Sequence, residues 1–130
     1  MAMANILLIE DQNDVRSFVK IVLERAGHLV REATNGAEGI AAIREILPDL
    51  VVTDIFMPQN DGLEVIREAR RLASHLPIVA ISGGTPMIAR NYLPVAETFG
   101  ATETLEKPFA PADLLRAIRK ALLSGDPVTA

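Results

Sequence analysis

Short apolar runs of four to six residues alternate along this 130-residue chain with amphipathic stretches of ten to fifteen. A short run suits a strand covered on both faces, and a 3.6-residue rhythm suits a helix laid over it. The alternation therefore predicts βαβ units wound into a parallel α/β sheet. Ile6–Ile9 is the first such run. Asp14–Ala26 follows with Val15, Phe18, Val19, Val22, Leu23 and Ala26 at helical spacing, and Gly27 supplies a stop. His28–Ala33 reads as a second strand. Asn35, with Glu38 three residues on, offers a capping arrangement for a helix through Glu45, which Pro48 closes.

Leu50, Val51 and Val52 show no polar alternation, as a central strand requires, and Asp54 ends that run. The turn formers from Pro58 to Gly62 lead into a third helix marked by Leu63, Val65, Ile66, Ala69 and Leu72. Pro77–Ile81 gives the fourth strand, and Ser82-Gly83-Gly84-Thr85-Pro86 a flexible loop. Pro94 confines the fourth helix to about Tyr92–Phe99, with the proline in its first turn after an Asn91 cap. Thr102–Glu106 is the last strand and Pro111–Leu123 the last helix, with Pro at its start and Gly125 beyond. One domain over residues 4–123 is expected, with 124–130 a flexible tail.

Composition narrows the function. A net charge of −4 and scattered Lys and Arg give no basic footprint for direct nucleic-acid binding. The chain has no cysteine, which excludes a disulfide framework or thiolate metal site, and no apolar run approaches a membrane span. Met1–Asn5 is too short and uncharged for a signal peptide, so a cytoplasmic protein is expected. Aromatic residues supply only 4%, so the core must be aliphatic.

The strand ends carry the chemistry. In an open parallel sheet, ligands sit beyond the carboxyl ends of the strands. There the chain places Glu10 and Asp11, Asp54, Ser82 and Lys107. Three gathered carboxylates need counter-cations: Lys107 is one, and an all-oxygen donor set suits Mg2+. Asp54, closing the most apolar strand, is the candidate nucleophile toward phosphorus, with Ser82 and Lys107 as hydroxyl and ammonium around it. Each residue alone has a plainer reading. Glu10-Asp11 could be a solvated strand end or helix cap, Asp54 a turn former, Ser82 a loop hydroxyl bonded to its own backbone, and Lys107 a surface lysine.

Taken in order, Glu10-Asp11, Asp54-Ile55-Phe56-Met57-Pro58 with Asp61-Gly62, Ser82-Gly83 and Lys107-Pro108-Phe109 resemble the receiver domain of two-component response regulators. The resemblance runs from about Ala4 to Leu123. It implies a doubly wound (βα)5 fold with a five-stranded parallel sheet in the flavodoxin-like order 2-1-3-4-5. It also implies that Asp54 is phosphorylated by a histidine kinase or histidine phosphotransfer protein. Asp11, the Asp54 carboxylate and the Phe56 carbonyl would hold magnesium, with Glu10 acting through a bound water. Ser82 would bond a phosphoryl oxygen, Lys107 would pair with it, and the Lys107–Pro108 bond would be a candidate for the cis form.

The implied activity is limited to the chain's own Mg-dependent phosphorylation and dephosphorylation, with output through an unknown downstream protein. Alternatives are a receiver cut from a longer regulator or hybrid kinase, or a phosphate shuttle or sink. An aspartyl-phosphate hydrolase would carry an Asp-x-Asp pair where this chain has Glu10-Asp11-Gln12, and the acidic loop after Ile9 disfavours flavin. Three departures from the resemblance stand out. Thr104 occupies the usual place of an aromatic switch residue three before the lysine, which Tyr92 or Phe99 could fill only by packing nearby. The stretch from Ser82 to Lys107 looks long, so the fourth loop and helix are expected to be remodelled. Phe56 and Gly84, two after Asp54 and Ser82, cannot orient a hydrolytic water, which implies a long phosphoryl lifetime.

Overall fold

A computed structural model describes residues 3–57, 62–83 and 86–124. The elements run β1 (Asn5–Ile9), α1 (Asn13–Arg25), β2 (Leu29–Ala33), α2 (Gly36–Glu45), β3 (Leu50–Asp54), α3 (Gly62–Leu72), β4 (Ile78–Ser82), α4 (Pro86–Phe99), β5 (Glu103–Glu106) and α5 (Pro111–Ser124). The strands form one parallel sheet in the order β2-β1-β3-β4-β5, as the resemblance implied. Register decides which strand ends meet: Ile9 lies opposite Thr53, Asp54 opposite Ile81, and Ser82 opposite Glu106. The residues that follow β1, β3 and β4 therefore emerge side by side at one edge.

Successive side chains of a strand point to opposite faces, and both faces are covered. Leu7, Ile9, Val51, Ile78 and Ala80 pack with Ile43, Val65, Ile66, Ala69 and Ala96 from α2, α3 and α4. Ile6, Leu8, Leu50, Val52 and Val79 pack with Val19, Leu23, Leu114 and Ile118 from α1 and α5. β3 and β4 are buried at every position. Each fully buried Leu or Ile contributes about 1.5–3 kcal/mol, so the central strands are the firmest platform available to the groups at their ends. Among the described residues, no helix is long and apolar enough to cross a membrane.

Local signals explain most element ends. Asn35 Oδ1 accepts from the Glu38 N–H at 2.9 Å, the expected cap of α2. Glu38 reaches one residue further back than a capping box requires, accepting from the Thr34 N–H and hydroxyl. The chain leaves α1 through Gly27 at φ +96°, left-handed backbone that favours glycine. His28 belongs to that turn rather than to β2: it is buried, and its Nδ1 accepts from the Ala4 N–H at 3.1 Å.

The fourth helix departs from the expectation. It begins at Pro86, not near Tyr92, and carries Pro94 in its interior. Pro94 is exposed, so water can reach the carbonyl its missing N–H would have engaged, and the Thr98 hydroxyl donates to the Pro94 carbonyl at 3.1 Å. Starting at Pro86 also fits proline's tolerance for a first helical turn. The Pro58–Asp61 turn, Gly84, Thr85 and the 125–130 part of the tail lie outside the described residues.

Candidate functional site

Glu10 follows β1 directly; its N–H donates to the Ala33 carbonyl at 3.0 Å and its own carbonyl accepts from Arg16 Nη1 at 2.9 Å. Those bonds fix the turn into α1 and leave the Glu10 side chain buried under the sheet edge, 2% exposed. Asp11 is half-buried beside it. Asp54 closes β3 at 5% exposure, and Gly62, the first residue of α3, lies against its backbone. A side chain at Gly62 would put Cβ only 2.0 Å from the Asp54 carbonyl oxygen. Glycine is therefore what lets α3 start this close to the carboxylate.

Two hydrogen bonds from one ammonium tie the ends of three strands together. Lys107 Nζ donates to Asp54 Oδ2 at 3.0 Å and to Glu10 Oε1 at 3.2 Å. The Phe56 N–H donates to Asp54 Oδ1 at 3.3 Å, and the Gln12 N–H to Glu10 Oε2 at 3.1 Å. Lys107 follows β5, held by its N–H on the Ser82 carbonyl at 2.8 Å, and the Lys107–Pro108 peptide is cis.

Carboxylate oxygens of Glu10, Asp11 and Asp54 all lie within 4.8 Å of one another. Burial first, and then the neighbouring Asp54 charge, push the Glu10 carboxyl from 4.5 up to about 7. Burial alone would lower the Lys107 ammonium, but the charge and hydrogen bond of Asp54, and then those of Glu10, carry it above its ordinary value. One ammonium thus leaves the cluster short of positive charge. An all-oxygen donor set with a surplus of negative charge fits a hard divalent cation.

Above Asp54 lies a cavity of about 270 Å³ lined by Gln12, Asp54, Phe56, Gly83, Ile88 and Lys107. Ser82 is fully buried at the neighbouring strand end, and its hydroxyl donates to the Gly83 carbonyl at 3.4 Å. The structure thus gathers Glu10, Asp11, Asp54, Phe56 and Lys107, with Ser82 one strand over and its hydroxyl turned to its own backbone. His28 stands outside this group, on the Ala4 N–H.

Sequence reading gave Gly62 and Ile88 no role of their own in the site. Gly62 was legible as part of a turn and of the receiver resemblance, but its backbone contact has no linear signal. Ile88 and Tyr92, four apart on α4, fell outside or at the start of the helix expected there. The Phe56 ring meets Tyr92 edge-on, with centroids 4.8 Å apart at 75°. Phe99 instead packs into the core under α4. Of the two aromatics considered for the role absent at Thr104, Tyr92 is the one against Phe56.

A family model for the response regulator receiver domain matches residues 6–119. The response regulator receiver protein CpdR of Brucella abortus is 38% identical over 122 residues, covering 94% of this chain and 99% of that protein. The transcriptional regulatory protein AfsQ1 of Streptomyces coelicolor is 36% identical over 95% of this chain, which spans 53% of the relative's length. Among solved structures, NtrX from Brucella abortus superposes with a TM-score of 0.88 at 32% identity, over 95% of this chain and 28% of that one.

Proposed function

This chain belongs to the response regulator receiver domain family, and we propose that it is a signalling module whose Asp54 takes a phosphoryl group from a histidine kinase or histidine phosphotransfer protein. The observation that carries the reading is the pair of bonds from Lys107 Nζ to Glu10 and Asp54, residues 97 and 53 positions away in the chain. A surface lysine, a turn aspartate and a solvated strand end would not converge on one buried contact. Such cost-bearing burial of charge is found where charge is used.

In the transfer, an Asp54 oxygen bonds to phosphorus as the bond from phosphorus to the donor's imidazole nitrogen breaks, the electron pair remaining on that nitrogen. Asp11, the Asp54 carboxylate and the Phe56 carbonyl would hold a magnesium ion, with Glu10 acting through a bound water, and the ion supplies neutralisation of the transferring oxygens. Lys107 is already within hydrogen-bond reach of Asp54 Oδ2, so a phosphoryl oxygen there inherits a charge-assisted donor. The Ser82 hydroxyl exchanges a long 3.4 Å bond to Gly83 for a phosphoryl oxygen. The protein positions and neutralises rather than turning over substrate, in keeping with receiver domains as signalling modules rather than conventional enzymes.

Output runs through a downstream protein, in the cytoplasm, by a shift between two conformations that the phosphorylated site stabilises differently. A receiver within a longer regulator is the second reading, favoured by AfsQ1, of which this chain covers 53%. The sequence of the complete gene decides it. For the primary reading, the test is incubation with acetyl phosphate and Mg2+ followed by intact mass. Wild type gains one phosphate and Asp54→Asn gains none; an equal gain in both removes Asp54 from the mechanism.

A further inference from the structure

The chain has few aromatic residues, four Phe and one Tyr, and its core is aliphatic. Four of those five form two ring pairs, each with a member lining a cleft that includes a residue of the Asp54 site. Phe18 and Phe109 pair at 6.2 Å and border a cleft that includes Lys107, and Phe56 and Tyr92 pair at 4.8 Å. Phe56 and Tyr92 are each 39% exposed, so neither is placed by burial in the core. Their rings are in edge-on contact with one another.

Phe56 is also bound at its base, through its N–H on Asp54 Oδ1, and its side chain lines the cavity above that carboxylate. Ile88 lines the same cavity, and Tyr92 lies one helical turn further along α4 on the same face. Phe56 and Ile88 thus give this cavity hydrocarbon side chains, which cannot hydrogen-bond a water. Tyr92 stands behind the Phe56 ring.

From this geometry we infer that Tyr92 is a positioning residue for Phe56, and that the pair shields a phosphoryl group on Asp54 from water, so that α4 sets its lifetime. The inference rests on the reading of Asp54 as phosphoacceptor. Hydrolysis joins a water oxygen to phosphorus as the bond from phosphorus to the Asp54 oxygen breaks. The electron pair returns to the carboxylate, and the water's protons leave with inorganic phosphate. The attacking oxygen must lie in line with the breaking bond, inside the cavity that Phe56 and Ile88 narrow. Without Tyr92, the Phe56 ring loses its outer neighbour and gains rotamers that open this approach.

The strength of an edge-on aromatic pair corresponds to about a two- to tenfold bias in ring position. The test loads the protein with acetyl phosphate and Mg2+, removes the donor, and follows loss of the phosphate by intact mass. Tyr92→Leu should shorten the lifetime about two- to tenfold, and Tyr92→Phe, which keeps the ring, should match wild type. Phe56→Ala should shorten it as well, and the double variant should add little to Phe56→Ala alone, because Tyr92 acts through Phe56. Tyr92 is the sole tyrosine in a chain without tryptophan, so its fluorescence reports the pair in folded protein and should change in Phe56→Ala. An unchanged lifetime in Tyr92→Leu, or fully additive effects in the double variant, overturns the inference while leaving Asp54 as acceptor. A wild type that gains no phosphate overturns both.

Discussion

Gly62 offers a sharp test of how the site is built, because its replacement acts on backbone alone. Its N–H donates to the Ile55 carbonyl at 2.7 Å, and it begins α3 against the end of β3. An alanine Cβ there would lie 2.0 Å from the Asp54 oxygen, 2.6 Å from Ile55 Cα and 2.8 Å from the Asp54 carbonyl carbon, where ordinary contact begins at 3.4 Å. No flexible side chain can swing aside, so α3 or the end of β3 must move. Overpacking of this kind costs about 1–3 kcal/mol, and a clash with rigid backbone belongs at the upper end, roughly 10 °C in Tm for a domain of this size. Gly27→Ala is the control. Gly27 has φ +96° and nothing within 4 Å, so alanine there meets only backbone strain of about 1–2 kcal/mol, far from Asp54. Thermal unfolding by circular dichroism and the rate of phosphate gain from acetyl phosphate should separate the two. Gly62→Ala should lose more stability and phosphorylate more slowly at temperatures where both variants are folded. A Gly62→Ala protein that melts with Gly27→Ala and phosphorylates like wild type would refute the close approach as the reason for glycine.

Lys107→Met removes the ammonium that bonds both Glu10 and Asp54, and a hydrogen bond to a charged partner is worth about 1.5–3 kcal/mol, so phosphorylation by acetyl phosphate should slow roughly 10- to 100-fold. A rate within twofold of wild type would exclude the lysine from the reaction. The His28 imidazole is held below its ordinary 6.5, by burial first and then by the N-terminal charge, so the unfolded chain takes up a proton that the folded chain resists. Unfolding free energy should therefore fall as pH drops below about 6.5, by at most about 1.4 kcal/mol per unit from this group, and stop falling once the folded value is passed. Denaturant titrations of wild type and His28→Gln across that range should differ by this component; parallel curves would assign the pH dependence elsewhere. Pro94 sits exposed inside α4 without an N–H to offer, so Pro94→Ala should raise stability by about 1 kcal/mol or more in the same unfolding assay. A loss would mean that the proline fixes the course of α4.

The strands were legible because three of them are short apolar runs, and burial on both faces leaves that composition little freedom. β3 and β4 are buried throughout, and their ends fall within one residue of where the polarity changes. The candidate site followed from the same cause. Topology carries Glu10, Asp54, Ser82 and Lys107 to one edge, so the residue type at each strand end was enough to nominate them. α4 was harder to read, since its central proline is tolerated through solvent exposure, which spacing does not reveal. The Phe56 and Tyr92 contact depends on where α4 lies over the loop after β3, and no linear pattern encodes that. The close approach at Gly62 left no linear trace because the atoms that exclude a Cβ belong to Asp54 and Ile55, at the end of β3 and just beyond it.

The central claim is that Asp54, rather than another carboxylate of the cluster within 4.8 Å, is the acceptor. Borohydride reduces an aspartyl phosphate to homoserine, so the phosphorylated protein can be reduced, digested and mapped by mass. Homoserine at position 54 alone is the expected result. Homoserine at Asp11, or a phosphate that survives reduction on a hydroxyl such as Ser82, would contradict the account.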